Sequence, residues 1–355
     1  MAFGPELKLD LRPENRLDLI NVKSQIEERF GNPFAQFRQV LYYSYHTTAG
    51  YLDQKLCARL NHDSESLQDF VRSFQRLFPP NANYRHDQMD LRDELTEDEK
   101  RFEPKNADAH LTFIGSGLNN LVTYQNDPDV PVYFIDLDGT NGAIRRLRQT
   151  SVFGFDEERL VSNLRVQVPV STHPIDSVNL KDPNVGLFDR LQQEVQERGI
   201  GRGRIDLTLE SREMHTGLTM NEFETLLMQH DLVEVLHNPL RFMAERGRHL
   251  IRDPRSFKTR MKGYAKYDLP QILNEFLDTM GLSESLVERV IHKFMAYPAS
   301  RFLRMKRSIS LLVSDDPATG EVKIVQGKYQ SPILVQWGRS AQQSRRLKAS
   351  LISFE

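Results

Sequence analysis

Three histidines in the first half of this 355-residue chain stand in polar settings outside any clear helical periodicity. His46 closes an alternating run, His86 lies in Tyr84-Arg85-His86-Asp87, and His110 ends Asn106-Ala107-Asp108-Ala109-His110. Imidazole titrates near neutrality and ligates zinc, copper, iron or nickel, so three that converged would form a metal centre or an acid–base cluster. Spacings of 40 and 24 residues mean that only the fold can bring them together. The alternative is that each serves a separate backbone group. The single cysteine, Cys57, excludes a disulfide framework and any multi-cysteine zinc or iron–sulfur site.

The elements that must position these residues are of mixed type. Phe37 to Thr47 alternates with period two and is rich in aromatic and β-branched side chains, which predicts a strand. Ile205 to His215 repeats the alternation and predicts a second strand with Glu213 and His215 on one face. After the first strand, Asp63 or Ser64 can cap a helix carrying Leu67, Phe70, Val71, Phe74 and Leu77, ended by Pro79-Pro80. Asn221 to Leu236 carries Phe223, Leu226, Leu227 and Leu232 at helical spacing. A helical pair over 268–298 follows, with Gly281 between its members and a Ser285-x-x-Glu288 capping box. Strands return at Ser308–Val313, Val322–Val325 and Pro332–Trp337. This order predicts an α+β fold with an antiparallel sheet.

An internal repeat organises these elements. Ile144-Arg145-Arg146-Leu147-Arg148 and Ser344-Arg345-Arg346-Leu347-Lys348 lie 200 residues apart, and each follows a short apolar run. His46-Thr47-Thr48-Ala49-Gly50 and Glu213-Met214-His215-Thr216-Gly217 are 167 apart. A tandem duplication accounts for the matches, with a boundary near Pro169–Pro174 and domains of 1–165 and 166–355, the second enlarged by insertions. Two unrelated α+β domains are the competing organisation.

The motifs resemble the YjbQ family, some of whose members are described as secondary thiamine-phosphate synthases. The likeness rests on His46-Thr47-Thr48-Ala49-Gly50, Tyr84-x-His86-Asp87, Asn106-Ala107-x-Ala109-His110-Leu111 and Gly115-Ser116 over about residues 33–150. The second copy is similar through Gly217-Leu218-Thr219-Met220-Asn221-Glu222 and Gly327-Lys328-Tyr329-Gln330. Copy one has Asp53-Gln54 and Asp129-Val130 where the family has its Asn-Glu and Trp-Gln elements, and copy two has Glu213 in place of the first histidine, with His215 two positions on. The resemblance implies two YjbQ-like domains, each an antiparallel sheet or sandwich with packed helices. It implies a transferase of the thiamine-phosphate synthase kind acting on a small phosphorylated heterocycle. His46, His86 and His110 would be the acid–base groups or the ligands of a divalent metal, zinc first. Asp87 and Asn106 would orient them, and Arg145, Arg146 and Arg301 would hold a phosphate. The copy-two counterparts are Glu213, His215, Asn221, Glu222 and Gln330. Homo-oligomers with sites near subunit contacts are also implied. A non-catalytic oligomeric scaffold with decayed sites is the alternative.

Composition and charge narrow the partners. Lys and Arg total 47 against 49 Asp and Glu, a formal net charge of -2, so no global field recruits nucleic acid or a membrane surface. The charge is uneven locally: residues 87–108 hold nine acidic and four basic side chains, and residues 241–266 nine basic and two acidic. These segments could dock on each other, remain solvated, or, for 241–266, bind a polyanion with Phe242, Phe257 and Tyr264 stacking on bases. Neither a secretory signal nor an apolar run of spanning length is visible, which gives a cytoplasmic expectation.

Overall fold

The computed structural model of the chain describes residues 4–93, 95–237, 242, 305–315 and 320–355. The expected helices over 268–298, Arg301, and the basic 241–266 segment apart from Phe242 lie outside them. The chain divides into two units. One is built from residues 1–68, 117–223 and 306–355, and the other from 69–116 and 224–305.

The first unit carries all strands among the described residues. From the first half of the chain come β1 (Leu7–Leu11), β2 (Asp18–Asn21), α1 (Val22–Phe30), β3 (Gln39–Ser44), β4 (Ala49–Gly50) and α2 (Gln54–Arg59). The helices α3 (Ser64–Leu77), α4 (Glu97–Phe102) and α5 (Ala107–Ser116) follow. The half closes with β5 (Leu121–Gln125), β6 (Tyr133–Asp136), the small hairpin β7 (Thr140–Asn141) and β8 (Ile144–Arg145), and β9 (Arg148–Phe155). The second half supplies β10 (Glu158–Pro169), β11 (Asp176–Asn179), α6 (Leu187–Glu197), β12 (Gly203–Leu209), β13 (Thr216–Asn221), a π-helical turn (Leu227–Asp231) and α7 (Leu232–His237). It ends with β14 (Ser308–Asp315), β15 (Val322–Val325), β16 (Ser331–Gln336) and β17 (Ser344–Phe354).

The strands form antiparallel sheets in the orders β1-β9-β3-β5 and β2-β6-β4 in the first half, and β10-β17-β12-β14-β15 and β11-β16-β13 in the second. The two halves connect their strands alike, the second adding β15 at an edge. The register agrees as well. Asp136 lies opposite Asp18 and Ala49, and Gln336 lies opposite Asp176 and Thr216. The fold is thus mixed α+β with several antiparallel sheets.

Alternation places one face of each strand in a core. Ile205, Leu207 and Leu209 of β12 pack with Leu347, Ala349 and Leu351 of β17 and with Leu187, Leu191 and Val195 of α6. A second cluster joins the halves: Leu41, Tyr43, Leu121, Phe153 and Phe155 meet Leu312 and Phe354, with the Phe155 and Phe354 rings stacked at 4.2 Å. Each such side chain, fully buried, contributes ~1.5–3 kcal/mol of hydrophobic stabilisation.

The helix α3 forms as its periodicity predicts, with the Asp63 carboxylate accepting from Ser66 N at 2.8 Å. Asp53 caps α2 by accepting from Leu56 N at 2.9 Å. Two expectations are corrected. The strand predicted over Ile205–His215 ends at Leu209, because Glu210–Glu213 folds into a turn closed by Glu213 N donating to Glu210 O at 3.0 Å, and His215 adopts a φ of 53°. Glu213 and His215 therefore do not share a strand face. Asn221, predicted to open a helix, is instead the last residue of β13, paired with Ser331. No helix among the described residues is long and apolar enough to cross a membrane.

Candidate functional site

His46 follows β3 in the strand-bearing unit, and its ring is committed to the backbone. Its Nε2 accepts from Gln149 N of β9 at 2.7 Å. The tautomer this bond requires carries its proton on Nδ1. Burial, with help from the Arg148 and Arg146 guanidiniums, pulls its pKa from 6.5 down to about 3. In the second half Glu213 does the same work. Its carboxylate accepts from Arg346 N of β17 at 3.1 Å and from Arg345 Nη1 at 3.2 Å. The position selects an acceptor for a strand amide, and imidazole and carboxylate both qualify.

The residues around this loop are equally structural. Gln330 is fully buried; its Nε2 donates to Ser44 O at 2.7 Å and His46 O at 3.0 Å, while its Oε1 accepts from Tyr43 OH and Gly327 N. Asn120 donates to the same two carbonyls, and Asn221 Nδ2 to Thr47 O. Glu222 N donates to Asn221 Oδ1 at 2.8 Å. Gly327 comes so close to Tyr45 that a Cβ would overlap the Tyr45 carbonyl, which is why glycine stands there.

Beneath the loop, Arg148 forms a bidentate pair with Asp136 at 2.7 and 2.8 Å and donates to Asp138 O. Burial raises the Asp136 pKa, with Arg148 opposing. Arg345 reproduces the arrangement in the second half, donating Nε and Nη2 to Gln336 Oε1 at 3.2 Å. Of the residues expected to hold phosphate, Arg146 pairs with the buried Asp138 at 2.9 Å, and Arg145 sits exposed 3.8 Å from Glu14. Asp136 and Asp138 take Arg148 and Arg146 as partners, whereas Arg145 lies on the small hairpin and is exposed.

His86 and His110 belong to the other unit, and that unit brings them together. Their rings lie edge to face with centroids 5.3 Å apart, both buried. His86 Nδ1 is 3.1 Å from Asp87 Oδ1, which also accepts from Ala107 N at 3.0 Å, so the turn before α5 fixes the carboxylate that fixes the ring. On the far side of the ring, Nε2 stands 3.5 Å from Glu224 Oε2. Glu224 Oε1 pairs with the buried Arg92, which also lies 3.5 Å from Glu103. Glu224 Oε2 and Asp87 Oδ2 are buried oxygens without a hydrogen-bond donor. Asn106 and Asp108 are buried at the start of α5, where Asn106 O accepts from Ala109 N and His110 N.

The His86 ring thus has a carboxylate oxygen facing each of its nitrogens, so a proton held between Nε2 and Glu224 Oε2 has a partner on either side. The arrangement is equipped to take and return a proton. The His46 Nε2 already accepts from Gln149 N, so that nitrogen is not open to a metal ion. Among the described residues no three His, Cys, Asp or Glu side chains are grouped to hold a metal ion.

Glu224 and Arg92 are absent from the sequence reading. Glu224 stands two residues beyond Asn221-Glu222, past the end of the motif. Arg92 is an isolated cation among Asp90, Asp93 and Glu94 of the acidic segment. A lone arginine in an acidic run was the available signal for an internal ion pair.

No protein-family model matches the sequence, and no curated protein does. Among solved structures, a YbjQ-like protein of unknown function from Sulfolobus solfataricus P2 is similar at 14% identity and a TM-score of 0.29, over 56% of this chain and 99% of that one. A hypothetical protein from Aeropyrum pernix K1 is similar at 17% identity and a TM-score of 0.30, over 43% of this chain and 99% of that one. An uncharacterized conserved protein of the yjbq/upf0047 family from Clostridium acetobutylicum is similar at 16% identity and a TM-score of 0.28, over 41% of this chain and 97% of that one.

Proposed function

We propose that the His86 cluster is the acid–base centre of an enzyme acting on a small phosphorylated heterocycle of the thiamine-phosphate kind, in a chain that arose by tandem duplication into domains 1–165 and 166–355. The observation that carries the acid–base reading is the placement of His86 between two carboxylates, Asp87 at 3.1 Å on Nδ1 and Glu224 at 3.5 Å on Nε2, in a buried setting. Asp87 holds the ring in one tautomer, His86 moves a proton at Nε2, and Glu224 exchanges it or orients the group that does. Arg92 pairs with the other oxygen of Glu224 and holds that carboxylate beside the ring. The substrate class rests on the sequence motifs alone. The duplication is supported by the shared strand order and by the matching duties of His46 with Glu213 and of Arg148 with Arg345.

Thiamine phosphate formation by the purified chain tests the reading. The expected result is activity that falls by about 10²–10⁴ in His86→Gln, the usual worth of a positioned acid–base group. Unchanged activity in that variant would remove His86 from the chemistry, and no activity in the parent chain would remove the substrate class and favour the scaffold alternative.

A further inference from the structure

The backbone of His86 is held by a residue from the other half of the chain. Asp231 is fully buried, and its carboxylate straddles two consecutive amides, Oδ1 accepting from Arg85 N at 3.1 Å and Oδ2 from His86 N at 3.0 Å. Asp231 ends the π-helical turn Leu227–Asp231, whose flanking Leu226 and Leu232 are ordinary α-helical residues. A π turn widens an otherwise regular helix by one residue and recurs at functional sites. The same segment begins at Glu224, whose backbone carbonyl accepts from Met228 N at 2.8 Å to open the helix. One stretch of eight residues thus presents a carboxylate to the His86 ring and another to the His86 backbone.

We propose that Asp231 is a positioning residue for the His86 centre, and that the π turn exists to aim it. This rests on the acid–base reading of His86. Hydrogen bonds from two amides to one carboxylate are charge-assisted and leave the peptide little freedom to rotate. Asp87, the next residue, inherits that fixity, so Asp231 sets the angle at which the ring meets both Asp87 and Glu224. Asp231 does not touch the reacting atoms. Asparagine at this position would accept from one amide and turn its own NH₂ toward the other, whereas glutamate keeps two acceptor oxygens.

The test uses the full-length chain labelled with ¹⁵N at histidine. The His86 ring signals are assigned by their loss in His86→Gln and compared between the parent, Asp231→Asn and Asp231→Glu. Positioning predicts that Asp231→Asn shifts the His86 Nδ1 and Nε2 signals while leaving those of His46 in place, and that Asp231→Glu moves them back toward the parent. In the same variants kcat should fall about 10- to 100-fold in Asp231→Asn with KM little changed, as expected for a misaligned catalytic group. Ring signals and kcat that are the same in Asp231→Asn as in the parent would overturn the proposal, as would equal displacement of every histidine signal in both variants. Full activity in His86→Gln would instead overturn the acid–base reading itself, so the two failures are distinguishable.

Discussion

At the scale of single residues, histidine identity says less than the partner it meets. His46 and His86 both sit in motifs that suggest chemistry, yet His46 accepts from a strand amide and His86 stands between two carboxylates. In the second half a carboxylate makes a bond of the same kind, Glu213 accepting from Arg346 N of β17. His46→Ala should therefore lower stability by about 0.5–1.5 kcal/mol, the net worth of the hydrogen bond it makes to the exposed Gln149 amide, and denaturant unfolding will measure it. The pH dependence follows from the low folded-state pKa. Between pH 6.5 and about 3 the unfolded chain binds a proton at His46 that the folded chain does not, so this residue weakens the fold as pH falls through that window. Stability of His46→Gln, followed from pH 7 to pH 4, should fall less steeply than that of the parent. An equal slope would show that His46 charges freely in the folded chain.

At the scale of elements, the sequence announced several strands and the helix α3, because alternation and helical spacing are local properties. Ser308–Val313, Val322–Val325 and Pro332–Trp337 lie within one or two residues of β14, β15 and β16. The errors fall where a tertiary partner decides. The alternation of Ile205–His215 continues past the end of β12, but Arg307 draws the Glu210 and Glu213 carbonyls together and the chain turns. Which arginine pairs with Asp136 was likewise unreadable from spacing, since the fold brings Arg148, the first residue of β9, to Asp136, the last of β6. Removing Arg148 should cost about 3–5 kcal/mol, because a buried carboxylate is left uncompensated. Asp136→Gln should cost much less than that, since Gln336 already serves Arg345 in the second half. Thermal unfolding of the two variants orders them, and equal losses would show that Asp136 and Gln336 are not equivalent.

At the scale of the whole molecule, the near-zero net charge conceals opposed segments, and the acidic one has an internal use. Arg92 lies within it and pairs with Glu103 from the same run and with Glu224 from far along the chain. The sequence shows offsets of 167 and 200 residues between similar segments, and the sheets of the two halves share a strand order that no local pattern reveals. His86 and His110 were legible as candidates. Glu224, the carboxylate partner of His86, was not, because it lies 138 residues further along the chain and belongs to no motif. The most direct measurement is thiamine phosphate formation by His86→Gln and His46→Glu in one assay. A loss of about 10²–10⁴ in the first with near-parent activity in the second is the result expected of a single acid–base centre at His86; activity kept in His86→Gln and lost in His46→Glu would contradict it.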